Sequence, residues 1–121
     1  MYWNDGDKYE GDFKKGKMDG RGIYFHYSGN RYEGEYKNDV REGKGNYFFN
    51  SGEQFDGDRY EGDWKNDVKE GKGIFYWNNG DRYEGKWKNN VRDGEGIYYY
   101  KNGRIEEGNW KNDKLYIKFI I

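Results

Sequence analysis

The chain has 121 residues with 22 Lys plus Arg, 23 Asp plus Glu and a net charge of −1, so no bulk charge drives nucleic-acid or anionic-membrane binding. It has one histidine and no cysteine, which excludes disulfides, thiolate chemistry and multi-histidine zinc sites. Aromatic residues make up 21% and 20 residues are glycine, which predicts a core of rings packed on glycine and argues against long helices. With no bilayer-spanning apolar run and no signal-peptide pattern, a reducing, intracellular and cytoplasmic location is expected.

The first eight residues match the second half of a unit that recurs later in the chain. The opening Tyr2-Trp3-Asn4-Asp5-Gly6 corresponds to Tyr76-Trp77-Asn78-Asn79-Gly80. Residues 1–8 are therefore interpreted as a half-unit, which is either the remainder of a longer array or an N-terminal cap.

A five-residue motif then recurs along the whole chain. Tyr9-Glu10-Gly11-Asp12-Phe13 returns with the same Tyr-Glu-Gly start at 32, 60 and 83, and in a degraded form at Glu106. Each of the first four copies is followed by Gly-x-Gly, by three or four mostly aromatic residues and by a turn that ends in glycine. We predict one array over residues 1–121, with units that start at 9, 32, 60, 83 and 106.

The copies are 23 residues apart except between 32 and 60, where the spacing is 28. The segment Phe55-Asp56-Gly57 imitates the motif and is followed at once by the true copy, Tyr60-Glu61-Gly62. We interpret the excess as a five-residue local duplication, which predicts a bulged or lengthened loop.

Each unit predicts a β-hairpin. In the third unit, residues 60–65 and 71–77 are predicted strands and residues 66–70 the loop between them. Glycine in third place of the turn at 78–80 suits a three-residue hairpin loop with a left-handed bulge residue.

The type of turn sets the register between units. A three-residue turn places Gly73 opposite Gly85 and Phe75 opposite Tyr83, whereas a two-residue turn places Ile74 opposite Gly85. We prefer the first register because it stacks rings and glycines on one face, where the glycines leave gaps for rings from neighbouring strands.

The last unit departs from this pattern and ends in an apolar segment. Residues 114–121 contain Leu115 and four further apolar or aromatic residues after Tyr116. This segment is a candidate to cap one sheet edge, to pair with another chain or to continue into further residues.

The order Tyr-x-Gly-x-Trp, Gly-x-Gly and turn glycine at a 23-residue period resembles MORN (membrane occupation and recognition nexus) repeats. The resemblance implies an all-β fold, namely an elongated, twisted antiparallel sheet of stacked hairpins that forms an open array with a groove. It also implies a non-catalytic scaffold or adaptor, with cytoskeletal, ciliary or membrane-associated locations. The family often has glycine in the first turn, where this chain has Asp39, Asp67, Asn90 and Asp113.

The rings and glycines of the repeated motif are expected to form the structural core, because they share one face of the predicted sheet. This set is Tyr9, Gly11, Tyr32, Gly34, Tyr60, Gly62, Trp64, Tyr83, Gly85, Trp87 and Trp110.

A second position is aromatic in nearly every unit, but the type of ring differs from unit to unit. Close packing in a core would restrict the type of side chain more strictly. We therefore expect it to contact a partner, an apolar helix or an extended peptide segment, in an aromatic-lined groove. This position holds Trp3, His26, Phe49, Trp77 and Tyr100, so His26 is interpreted as a substitute ring and not as a catalytic base. A second candidate ladder on the opposite face is Phe25, Phe48, Tyr76 and Tyr99. Self-association through sheet edges or the apolar tail is a further expectation.

A basic residue follows the Phe/Tyr/Trp position in every unit, at Lys14, Lys37, Lys65, Lys88 and Lys111. The resemblance to MORN repeats implies, as the alternative function, a module that binds phosphoinositides or an acidic membrane, and a row of lysines along one rim could meet the lipid phosphates. The competing interpretation is that each lysine pairs with an acid on a neighbouring strand.

Other function classes have less support. No serine–histidine–acid or paired-carboxylate motif supports an enzyme, and no cofactor is expected. Asp5-Gly6-Asp7 and Asp56-Gly57-Asp58 lack the spacing of a calcium loop, so no metal site is expected. The 23 interleaved acids oppose nucleic-acid binding. Choline-binding and cell-wall repeats are also aromatic and glycine-rich, but their motif order fits this chain less well.

Overall fold

The computed structural model describes residues 1–50 and 57–119. These residues form strands and turns and no helix, and the strands lie in chain order in one open antiparallel sheet. The strands are β1 (Lys8–Lys14), β2 (Lys17–Phe25), β3 (Arg31–Lys37), β4 (Val40–Phe48), β5 (Arg59–Lys65), β6 (Val68–Tyr76), β7 (Arg82–Lys88), β8 (Val91–Tyr99), β9 (Ile105–Lys111) and β10 (Lys114–Lys118). The all-β array of antiparallel hairpins is thus confirmed.

The loop predicted over 66–70 is wrong, because the turn has only two residues. Asn66 and Asp67 adopt φ values of 48° and 69°, the left-handed pair of a tight hairpin turn that matches strand twist. Val68 therefore already belongs to β6. The excess residues form a bulge on β6 around Gly71, whose φ is 99°.

The turns between units have the predicted three-residue form. The Trp77 backbone N–H donates to the Asp81 carbonyl at 2.9 Å, and Gly80 has a φ of 102°. The equivalent bond in the lengthened turn runs from Phe49 N–H to the Asp58 carbonyl at 2.8 Å. The five extra residues therefore fall between Phe49 and Asp58, as predicted, and residues 51–56, which include two positions of the motif-like segment, lie outside the described residues.

The preferred register is confirmed and the two-residue alternative is wrong. Gly73 pairs with Gly85 and Phe75 with Tyr83. The same register holds from β1 to β9 and aligns one glycine from each strand in a single row. The row is Gly11, Gly22, Gly34, Gly45, Gly62, Gly73, Gly85, Gly96 and Gly108.

Tyrosine rings fill the gap that this row leaves. The Tyr60 ring lies directly over Gly73, where any Cβ would overlap it, and its hydroxyl donates to the Asp63 carbonyl at 2.9 Å. Its equivalents in the other units are buried in the same way, and all four side chains are fully buried: Tyr9, Tyr32, Tyr60 and Tyr83. The described residues provide no second layer that could cover these rings. The glycines therefore leave space in which the tyrosine rings are buried against the sheet itself.

Larger rings join these tyrosines into one edge-to-face chain. Trp64 packs at right angles on Tyr32 and on Tyr60, with centroids 5.5 and 5.2 Å apart. Continued through every unit, this pattern links nine rings from Phe13 to Trp110 at 5.0–5.5 Å, the geometry that aromatic pairs prefer. We call the face that carries this core the ring face.

The pattern changes at the last strand. Ile117 stands where earlier units have the left-handed bulge glycine, and the bulge in β10 is shorter by one residue. Leu115 still pairs with Trp110 on the ring face, but Lys118 now pairs with Gly108. The segment from 114 thus forms the tenth strand. From Ile117 onward, its residues lie on the opposite face of the sheet from the equivalent residues of the earlier units.

Candidate functional site

The ring ladder, which we define as Trp3, His26, Phe49, Trp77 and Tyr100, lies on the ring face and every member is half-buried. Between successive members lies a ring two residues before the later member, namely Tyr24, Tyr47, Phe75 and Tyr98. The nine rings form a continuous ribbon with centroids 4.5–5.9 Å apart. The fold therefore brings the five predicted contact residues together as one strip.

The loops hold this ribbon in place. Asp7 accepts a hydrogen bond of 2.7 Å from the Tyr24 hydroxyl, and Asp81 accepts one of 2.8 Å from the Tyr98 hydroxyl. The Asp81 carboxylate also accepts from the Lys101 backbone N–H, and these bonds lower the pKa of Asp81 below its ordinary value. Because the loop residues fix the rings, a partner would meet a preorganised surface.

His26 behaves as a ring of this ribbon. It packs 4.6 Å from Tyr24 and 5.9 Å from Tyr47, and its Nδ1 lies 4.0 Å from the Asp7 carboxylate. Burial lowers the pKa of His26, and the opposing attraction of Asp7 is the smaller effect. The side chain is therefore a neutral imidazole at neutral pH.

The second candidate ladder lies on the opposite face, under a layer of cations. Arg31 stacks 4.3 Å from Phe48, Arg59 4.1 Å from Tyr76 and Arg82 3.8 Å from Tyr99, while Lys8 lies 5.4 Å from Phe25. Each cation also pairs with a glutamate two residues further along its strand. These rings are thus already engaged on the side that a partner would approach.

The five predicted lysines are exposed and stand at the strand ends beside the two-residue turns. None of them pairs with an acid among residues 1–50 and 57–119, so the competing interpretation finds no support there. Successive lysines are two strands apart, which is about 10 Å.

Three cations on the ring face were missed by the sequence analysis. We call Arg41, Lys69 and Arg92 the cation row. Arg41 lies 4.5 Å from the Trp64 ring and Arg92 4.9 Å from the Trp110 ring. Lys69 fell within the mispredicted loop. Met18 and Leu115 occupy the position of the cation row in the first and last units. These two apolar residues could have shown that all five residues at this position, the three cations included, lie on the core face.

The turn residues that replace the family's glycine link each unit to the one before it. Asp39, Asp67, Asn90 and Asp113 have φ values of 67–71°. The side-chain oxygen of each accepts a bond of 2.7–2.8 Å from a backbone N–H of the previous unit, as Asp67 does from Arg41. These residues therefore combine left-handed turn geometry with a contact that glycine cannot make.

The part of the chain that the structure describes contains no group of three acidic or histidine side chains arranged to hold a metal ion. Across those residues there is also no helix with the length and hydropathy needed to cross a membrane.

A family model, described as MORN repeat, matches residues 9–31, 32–54, 60–82 and 83–103. These matches start at four of the five predicted unit starts and cover well over half of the chain. A search of curated proteins found no match. Repeats of this family are generally non-catalytic scaffolds that mediate protein or membrane-lipid interactions. The sequence pattern, the stacked hairpins and the four matches agree, and the chain belongs to the MORN-repeat family.

Proposed function

We propose that this chain is a non-catalytic scaffold or adaptor that docks a segment of a partner protein along the ring ladder. One observation carries the proposal: the ladder rings stay half-exposed while the core tyrosines on the same face are fully buried. Rings that are fixed before binding lose little side-chain entropy, and large aromatic residues are typical binding hot spots.

The ladder's spacing suits regular peptide structure. Its members lie two strands apart, about 10 Å. Seven residues of an α-helix advance about 10.5 Å, and three residues of an extended chain about 10 Å. A helix with apolar residues every seven positions, or an extended segment with one every three, would meet successive ladder rings.

A peptide-display selection on the immobilised chain tests this proposal. We expect enriched peptides with apolar residues at one of these two spacings, retained at high salt because apolar burial does not weaken with ionic strength. Trp77→Gln should weaken their binding at least about tenfold. Tyr76→Gln, a neighbouring ring on the opposite face, is the matched control and should leave binding unchanged. Equal losses in both variants would argue against docking on the ladder.

The exposed lysines favour a second candidate function, binding of phosphoinositides or an acidic membrane. Lysines that form no ion pair with a described residue, about 10 Å apart along one rim, could each meet a lipid phosphate. Vesicles with and without phosphoinositide provide the test. Binding should fall steeply with salt and in a Lys65→Gln/Lys88→Gln variant. A Lys44→Gln/Lys101→Gln variant has the same net charge and should bind normally; equal losses would indicate charge alone.

We further propose that the exposed edge of β10 supports self-association. Tyr116 and Ile117 are 72% and 50% exposed there. Sedimentation velocity should detect a concentration-dependent dimer that Ile117→Lys abolishes. A chain that stays monomeric at every concentration would contradict this addition.

A further inference from the structure

The cation row is regular except in the third unit. Arg41 pairs with Asp67 through Nε at 3.1 Å, and Arg92 pairs with Asp113 in the same way at 3.2 Å. Each arginine also donates to the backbone carbonyl of its aspartate. The third unit changes both partners at once, because it has Lys69 for the arginine and Asn90 for the aspartate.

This double change leaves the Lys69 ammonium without an anionic partner. Its Nζ lies 5.2 Å from the Phe75 and Trp87 rings and 5.6 Å from the Tyr60 ring. The Asn90 oxygen accepts a bond from the Lys69 backbone N–H, not from Nζ. No described residue forms an ion pair with Lys69. Burial lowers the pKa of Lys69, and the opposing attraction of the Asp113 carboxylate, which is itself paired with Arg92, is the smaller effect.

A cavity of 310 Å³ opens beside this ammonium. Its walls include Arg41, Asp67, Lys69 and Asn90, together with Phe49 of the ring ladder. The volume is roughly ten times that of one water molecule in the liquid, which leaves room for a carboxylate and its methylene stem. Two cations and one carboxylate leave the cavity with a net charge of +1, so it complements a single negative charge.

We propose that the Lys69 cavity binds a glutamate or aspartate side chain of the docked partner segment. This inference rests on the proposed docking function and adds a charged anchor at one defined point of the ladder. The rings beside the Lys69 ammonium lower the local polarity and so strengthen the ion pair, while Asp67 disfavours a doubly charged phosphate. The partner's acid would take the place that Asp67 and Asp113 hold beside the two arginines.

Lysine Nζ NMR spectra of the full chain test the site without any partner. The probes are N-acetyl-glutamate methylamide and its uncharged glutamine analogue, with inorganic phosphate as a third arm. We expect the Lys69 signal to shift saturably with the glutamate probe and to remain unchanged with the glutamine probe. No shift, or tighter binding of phosphate than of the glutamate probe, would overturn the proposal.

Two variants locate the response. Lys69→Met should fold, because Met18 occupies the same position in the first unit, and it removes the ammonium. Asn90→Asp restores the carboxylate found in the other units and should weaken the glutamate probe several-fold by neutralising the cavity. An Asn90→Asp chain that binds the probe as well as the natural chain would contradict the charge argument.

Peptides from the display selection separate this inference from the docking function. Replacing their acidic residue with its amide should cost about tenfold in affinity for the natural chain and little for Lys69→Met. Peptides that lose binding with Trp77→Gln but not with Lys69→Met would support the ladder and overturn the anchor. If the glutamate probe binds saturably but the selection yields no peptide that binds the ladder, the result would support the acid-binding site and overturn docking.

Discussion

The indole Nε1 of Trp87 donates a hydrogen bond of 3.1 Å to the backbone carbonyl of Gly73 on the adjacent strand of the previous unit. Trp64 and Trp110 make the same bond to the carbonyls of Gly45 and Gly96. Each tryptophan thus satisfies its own polar atom. The Trp64 and Trp87 rings pack on tyrosines from two units, and the Trp110 ring packs on two tyrosines of the previous unit. The bond makes the tryptophan a link between repeats as well as a core residue.

Trp87→Ala should lower the free energy of unfolding by roughly 3–5 kcal/mol, because it removes a buried ring and its hydrogen bond to the Gly73 carbonyl. Urea denaturation followed by circular dichroism measures the loss. Lys88→Ala, at the exposed neighbouring position, is the control and should change stability by less than about 0.5 kcal/mol. A similarly small effect for Trp87→Ala would contradict its role in the core.

Gly73→Ala should be strongly destabilising, by more than about 2 kcal/mol, because the new Cβ overlaps the buried Tyr60 ring. The same denaturation experiment applies. Gly16→Asn is the control: no other residue lies near Gly16, and asparagine adopts the equivalent turn conformation at 90. If both glycine variants were equally stable, the rings would not be seated in the glycine row.

Asp67→Gly should cost about 1–2 kcal/mol, since glycine keeps the turn but removes the acceptor for the Arg41 backbone and side chain. Asp67→Asn retains one acceptor and should cost less. The matched variant Asn90→Gly removes only the bond from the Lys69 backbone and should also cost less. Thermal unfolding can rank the three, and an equal loss in all of them would show that turn geometry alone matters.

His26 should make the protein less stable as pH falls below about 6.5, the ordinary pKa of histidine. Its folded pKa lies below the unfolded value near 6.5, so the unfolded chain binds more protons as pH falls. The stabilisation is complete above pH 6.5 and is lost as pH falls through the folded pKa.

Thermal melts at pH 7.5 and 5.0 measure this effect. His26→Phe, which copies Phe49 in the next unit, should lose less stability over this range than the natural chain. Both measurements stay above the pH at which Asp7 titrates, since its pKa is held below its ordinary value by the Tyr24 hydroxyl. Parallel pH profiles for the two chains would show that His26 does not titrate on unfolding.

The repeat pattern was sufficient to predict the sheet, its register and the lengthened loop, because the turn glycine at 80 and the glycines at 73 and 85 allow only one pairing that stacks the rings. It was not sufficient for the short hairpin turn. Asn66 and Asp67 alone form the turn, but the polar run up to Glu70 looks like loop because Lys69 is charged and nevertheless faces the core.

The candidate site was predicted only in part. The ring ladder follows from strand alternation, which needs no knowledge of side-chain packing. The cation row depends on stacking and on an ion pair between units, such as Arg41 with Asp67, and single-unit periodicity does not reveal such contacts. The cover of arginines over Phe48, Tyr76 and Tyr99 was missed for the same reason.

The sequential strand order determines how the chain would respond to mechanical force. Extensive contacts between the described strands join only neighbours in the sheet, and β1 and β10 lie at its opposite edges. A pull on both ends would load the hydrogen bonds of one hairpin at a time, as in opening a zipper, and not shear many bonds together. Each unit would then release about 23 residues, or roughly 80 Å of chain, so the array would extend under tension in steps of one repeat.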